Sequence, residues 1–224
     1  MISRLKATAP LALVIAVLAV LWVEFSLNFT FHWVTSGDLG NGLSLPASFH
    51  LIVPAAFLSW GLFFAAGADN SAFQKVVAAS MIGSLGALFV MALSPKVADL
   101  PDFWGIALVV GVAALVVVLL SVVGEWYYVP GIFGAFAATI FWWIATGLDN
   151  WAPDGGGVGN SIEALGDPAT AGAGAFGGVL STPFVWVWVD ILVTLLIGCA
   201  LGMLSVKLAG MITPAVKPDK EHAR

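Results

Sequence analysis

The chain has 224 residues, of which 60% are apolar and only 9% charged, and its mean hydropathy is +1.02. No soluble domain of this size tolerates such a surface, so composition alone points to an integral membrane protein. A net charge of -5 provides no basic face for nucleic acid, and a single cysteine, Cys199, excludes internal disulfides and thiolate-rich metal sites.

Arg4 and Lys6 precede a first apolar run, 7–27. It is longer than a signal-peptide core and exits through Trp22-Val23-Glu24-Phe25 with no small-residue cleavage site, so it is expected to stay in place as a spanning helix. A polar segment, 28–46, carries His32, Trp33 and Asp38. The second helix is expected over 47–66, and a loop holding Asp69, Asn70 and Lys75 leads to a third over 76–93. After a turn at 95–102 comes a valine-rich run, 103–123, whose length reads as a spanning helix rather than a strand. Gly124-Glu125-Trp126 connects it to a fifth helix over 128–148. The long hydrophilic stretch 149–182 is glycine-rich and acidic, with Asp154, Glu163 and Asp167, and reads as an extracytoplasmic cap. A sixth helix over 183–209 and a charged tail, 217–224, complete an all-α polytopic membrane protein.

Six crossings place both termini on one side. Arg4, Lys6, Lys75, Lys207, Lys217, Lys220 and Arg224 then share that side, and only Lys96 lies on the other. The positive-inside rule makes both termini cytoplasmic, and a bacterial inner membrane is the simplest location.

Two stretches repeat. Val53-Pro54-Ala55-Ala56-Phe57 and Val129-Pro130-Gly131-Ile132-Phe133 each open an apolar run, and each run ends in Asp-Asn, at Asp69-Asn70 and Asp149-Asn150. Position 53 against 129 sets a register of 76 residues, in which Ser59 meets Ala135. Position 83 against 198 sets a second register of 115, which aligns Ala79, Gly83 and Ala87 with Thr194, Gly198 and Gly202. Each trio is spaced by four and forms a small-residue seam suited to close helix approach. With two helices between copies, the copies run antiparallel, and the expected plan is an inverted repeat of three plus three helices, which suits a path open to both sides.

Charged groups inside hydrocarbon must face protein, a cavity or the headgroups. Asp190 lies four residues before Thr194 on the seam and is the best candidate for a functional intramembrane group, with Glu24 near the same side. Lys75 holds the position related to Asp190 by the second register. Ser59, Thr194 and Trp60 are further candidates for lining a pathway, Trp142 and Trp143 could narrow one, and Pro54 and Pro130 start their helices in the first turn. His32 and His50 are weak metal or proton-relay candidates without supporting spacing, and no cofactor is expected. Nothing matches a nucleophile elbow, phosphate loop or zincin helix, so an enzyme is not expected.

Phe57-Leu58-Ser59-Trp60 through Phe63-Phe64-Ala65-Ala66-Gly67, the 79–83 seam, and Val129-Pro130-Gly131 with Phe133-Gly134-Ala135 together resemble the YcdZ-like bacterial inner-membrane proteins, a family without assigned function. The resemblance covers roughly 47–140, and the chain departs from it in 149–182 and in the extended region between the first two helices. It implies a small multi-helix membrane protein. The plan is also reminiscent of urea and amide channels by architecture alone.

These readings favour a channel or facilitator for a small neutral or weakly basic solute of the urea, amide or ammonia kind, expected as a homo-oligomer in the bilayer. The alternatives are a non-catalytic subunit or assembly factor of a larger membrane complex, or a proton- or metal-coupled transporter.

Overall fold

The computed structural model describes residues 2–30, 48–97, 99–101, 104–146 and 183–213. His32, the segment 149–182 and the charged tail lie outside the described residues. Among the described residues the chain forms α1 (Ile2–Asn28), α2 (Val53–Ala65), α3 (Asn70–Leu93), α4 (Trp104–Leu119), α5 (Val129–Ala145) and α6 (Phe184–Ile212), with short 3-10 turns at Ser94–Val97 and Leu120–Val123. It is an all-helical membrane protein: four stretches, Ala7–Asn28, Asn70–Val97, Trp104–Val123 and Phe184–Ile212, are long and apolar enough to cross a bilayer.

The two helices that fall short are the ones that open on the repeated Val-Pro. α2 has 13 residues and α5 has 17, about 20 and 26 Å at 1.5 Å per residue, against a hydrocarbon core about 30 Å thick. α2 begins at Val53, later than the apolar run 47–66 suggests, with Ile52 extended as its N-cap, Pro54 in its first turn, and the amides of 50–52 bonded to side chains elsewhere. α3 starts earlier than expected, at Asn70, because Asp69 is its N-cap: the Asp69 carboxylate accepts from the Ala72 N–H at 2.7 Å. The Asp-Asn pair after α2 therefore begins the next helix, while the last turn of α2 closes through Gly67, at φ +120°, with Ala68 donating to Phe63 O and Gly67 to Phe64 O.

Small residues set the helix pairing. A Cβ on Gly198 of α6 would collide with the Ala56 carbonyl and the Ser59 hydroxyl of α2, and one on Gly202 would lie 2.6 Å from the Phe63 ring. A Cβ on Gly83 of α3 would meet the Ile132 carbonyl of α5 and stand 2.8 Å from Ala135 Cβ, and one on Gly131 would stand 2.8 Å from Ala79 Cβ. Positions ascend together along each pair, so α2 runs parallel to α6 and α3 parallel to α5. The tight turn after α2 reverses the chain into α3, which makes α2 and α5 antiparallel.

α1 lies against α6 and α2 through one face, Val14, Leu18, Trp22, Ser26 and Thr30, spaced by four. α4 is peripheral. Gly105 is its only buried residue, and Leu108, Val112, Leu115 and Val116 face outward.

Gly198→Ala and Gly83→Ala are expected each to destabilise the protein by about 1–3 kcal/mol, because backbone cannot yield to the added methyl. Gly61→Ala and Gly111→Ala, which meet open space inside helices, should leave stability unchanged or raise it slightly. Thermal unfolding of the four variants in detergent checks the contrast.

Candidate functional site

The site grows from the stretch that is not helix. Residues 49–52 are not helical and end in the extended Ile52, and three consecutive amides there have no backbone acceptor among the described residues. Each is taken by a side chain. The His50 N–H donates to Asp190 Oδ1 at 3.0 Å, the Leu51 N–H to Thr30 Oγ1 at 3.0 Å, and the Ile52 N–H to Thr194 Oγ1 at 3.2 Å. The carbonyls are also satisfied: Leu51 O accepts from Ser26 Oγ at 2.9 Å and Thr30 Oγ1 at 3.2 Å, and Val53 O accepts from the Trp22 indole at 3.3 Å. Non-helical backbone at membrane depth survives only when protein groups replace these lost helical bonds.

Asp190 and Thr194 stand four apart on α6, in line with Gly198 and Gly202. The same face of α6 thus grips the extended segment with polar groups and then admits the α2 backbone with glycines. Asp190 is 0% exposed, and its second oxygen accepts from the Trp142 indole N–H of α5 at 3.3 Å. Neither donor carries a positive charge. The His50 ring is 1% exposed and meets Trp142 edge-on with centroids 6.4 Å apart, while its Nδ1 has no hydrogen-bond partner among the described residues.

Beside this cluster lies a cavity of about 490 Å³. Its walls come from both short helices, Val53 to Ala55 and Leu58 on one side and Gly134, Ala138, Phe141 and Trp142 on the other, with Leu27 of α1, Thr30 just beyond its end, and Ile191 of α6. The lining is almost wholly apolar. Thr30, Trp142 and the backbone of 51–53 are what it offers to a polar solute.

Of the residues singled out in the sequence, Asp190, Thr194 and His50 come together here. Ser59 lies further along the same interface, with its hydroxyl 2.6 Å from Leu195 O, and ties α2 to α6. Trp60 is buried elsewhere, among Val14, Leu18 and Ala209, and stacks on Phe57 at 5.7 Å. Glu24 is exposed on α1, where its carboxylate accepts from the Asn28 amide at 3.0 Å, so it does not join Asp190. Ala79, Gly83, Ala87, Gly198 and Gly202 are all buried, and Pro54 and Pro130 are both exposed. Among the described residues no three His, Cys, Asp or Glu side chains stand close enough to hold a metal ion.

The sequence had hidden the roles of Thr30 and Ser26 and the link from Trp142 to Asp190. A signal for the first existed, since Trp22, Ser26 and Thr30 recur at four-residue spacing on an otherwise apolar helix.

Asp190→Leu is expected to leave the His50 amide and the Trp142 indole without acceptors and to cost about 1–3 kcal/mol for each, whereas Asp190→Asn keeps one acceptor oxygen and should lose less. Hydrogen exchange at the amides of 50–52 should accelerate in Asp190→Leu and in Thr194→Val ahead of any change in α3. Equal exchange in variant and parent would show that these side chains do not hold the segment.

A family model described as protein of unknown function (DUF1097) matches residues 12–210. The match reaches well beyond 47–140 and names neither the YcdZ-like proteins nor the urea and amide channels. No curated protein and no solved structure gives a match. With the seams, both short helices and the Asp190 cluster all inside the matched span, the chain belongs to the DUF1097 family.

Proposed function

We propose that the protein is a facilitator for a small neutral or weakly basic solute of the urea, amide or ammonia kind, built as an inverted repeat of three plus three helices. In this reading six helices cross a bacterial inner membrane with both termini cytoplasmic, and the Asp190 cluster lies toward the outer face. The observation that carries it is the correspondence of the two glycine contacts. Gly83 abuts the Ile132 carbonyl and Ala135, and Gly198 abuts the Ala56 carbonyl and Ser59; registers of 115 and 76 exchange one set for the other, position by position.

Further agreement supports the repeat. The buried positions Ala72, Val76, Ala79, Ser80, Gly83, Ser84, Ala87 and Val90 map by 115 onto Val187, Ile191, Thr194, Leu195, Gly198, Cys199, Gly202 and Ser205, all buried. The burial patterns of 53–66 and 129–142 coincide except at Trp60 against Phe136 and Ala66 against Trp142. The residues that precede the two Val-Pro pairs adopt similar dihedrals, Ile52 at φ -99°, ψ 98° and Tyr128 at φ -88°, ψ 86°. A matched pair of short, proline-started helices is also where inverted-repeat transporters place their binding sites.

Phe63, Ile132, Trp143 and Leu195 are buried completely, and backbones touch along both seams. Such density favours a site opened alternately to the two faces over a permanently open conduit.

Proteoliposomes containing the protein should admit urea, short amides or methylamine faster than empty vesicles, by at least several-fold. Gly83→Leu and Asp190→Leu should abolish the gain. Absence of flux for every such solute, together with a stoichiometric partner retained through purification, would instead identify a subunit of a larger membrane complex.

A further inference from the structure

We propose that Asp190, with His50 beside it, is a proton-binding site inside the bundle, and that its protonation releases the Trp142 indole into the cavity between α2 and α5. Asp190 is fully buried and each carboxylate oxygen accepts one neutral N–H, from the His50 backbone and from Trp142. A carboxylate surrounded by hydrocarbon needs a compensating positive charge, and among the described residues no basic side chain supplies one by an ion pair. Its hydrogen-bond partners are the His50 backbone N–H and the Trp142 indole of α5, and the His50 ring meets Trp142 edge-on. Of these only His50 titrates. Lys96 and Asp99, after α3, are exposed, as is Glu24.

Size selects the cation. With both oxygens engaged and no exposed surface, the carboxylate has no room for a metal ion or an ammonium unless Trp142 moves away. A proton needs no volume. His50 Nδ1 is buried and has no hydrogen-bond partner among the described residues, Asp190 included, so the proton stays on the Asp190 carboxyl. Its loss to water lowers the charge of the site by one.

The two hydrogen bonds differ in length, 3.0 Å from His50 N and 3.3 Å from Trp142 Nε1, so Oδ2 is the oxygen that takes the proton at the smaller loss. Protonated, it presents a donor to the indole donor, and that bond weakens. Trp142 lines the cavity. Its freed N–H would become a donor to a solute there, and the carbonyl oxygen of an amide is the kind of acceptor it suits. This coupling to solute rests on the facilitator reading, whereas the titration of Asp190 does not.

Infrared difference spectroscopy of the whole protein in lipid nanodiscs, titrated between about pH 4 and 10, tests the site alone. The expected result is a protonated-carboxyl stretch that appears as pH falls, is lost in Asp190→Asn and moves its midpoint in His50→Gln. Tryptophan fluorescence should follow the same midpoint in the parent and lose that component in Trp142→Phe, which keeps the carboxyl band. A band absent across the range, or unchanged in Asp190→Asn, overturns the proposal. If Asp190→Asn does not fold, Trp142→Phe decides: pH-linked fluorescence identical to the parent overturns it. Titration without flux in proteoliposomes would remove the facilitator reading and leave the proton site standing.

Discussion

Three amides in a row, those of His50, Leu51 and Ile52, have to find acceptors where no water is at hand, and the first half of the molecule is arranged around that need. An unsatisfied backbone group in hydrocarbon costs several kcal/mol, so the segment could not remain extended unless Asp190, Thr30 and Thr194 met it. These acceptors come from two helices far apart in sequence. The result is that α1 and α6 are locked to the start of α2 by polar contacts, whereas the rest of the interface is apolar or glycine-mediated.

The same α6 face changes character along its length for a geometric reason. Extended chain stands off from a helix far enough for a carboxylate and a hydroxyl to bridge, so Asp190 and Thr194 fit there. Once α2 has coiled at Val53 its backbone comes close enough that only glycine is tolerated at 198, and at 202 only glycine leaves room for the Phe63 ring. One four-residue spacing therefore serves two kinds of contact, and both fix α2 parallel to α6. The equivalent face of α3 has Lys75 and Ala79 in place of Asp190 and Thr194, and there only the close-approach half is kept, against Gly131, Ile132 and Ala135.

Much of this could be read from residues alone, for physical reasons that differ by feature. Apolar length and the Gly, Ala and Thr seams are local properties, so the helices and their packing faces were legible, as was Asp190 as a buried group. The start of α2 was not, because the apolar run continues upstream of Val53 and the non-helical form of 49–52 depends on the acceptors Thr30, Asp190 and Thr194. Asp69 was visible as a stop but acts as a cap, a distinction settled by which side its carboxylate turns to. Glu24 and Trp60 failed to join Asp190 because neighbouring positions on a helix point in different directions: Trp22 and Ser26 face the core, and Glu24 between them faces out.

In the proposed inverted repeat, the residues before the two Val-Pro pairs share dihedrals but differ in chemistry. Where the first half offers Leu51 and Ile52 with their polar clamp, the corresponding residues before α5 are Tyr127 and Tyr128. The Tyr128 ring fills the space beside Gly131, and Tyr127 is buried with a hydroxyl that has no hydrogen-bond partner among the described residues. The large cavity adjoins the first of these ends, and the smaller one, about 230 Å³, lies between α4 and α5 with no polar lining residue. In the proposed inverted repeat, shared packing would let both halves move by equivalent motions. In the proposed facilitator, placing the carboxylate, the imidazole and the indole at one end alone would make that end the one to hold a polar solute or a proton, and the other the one for release.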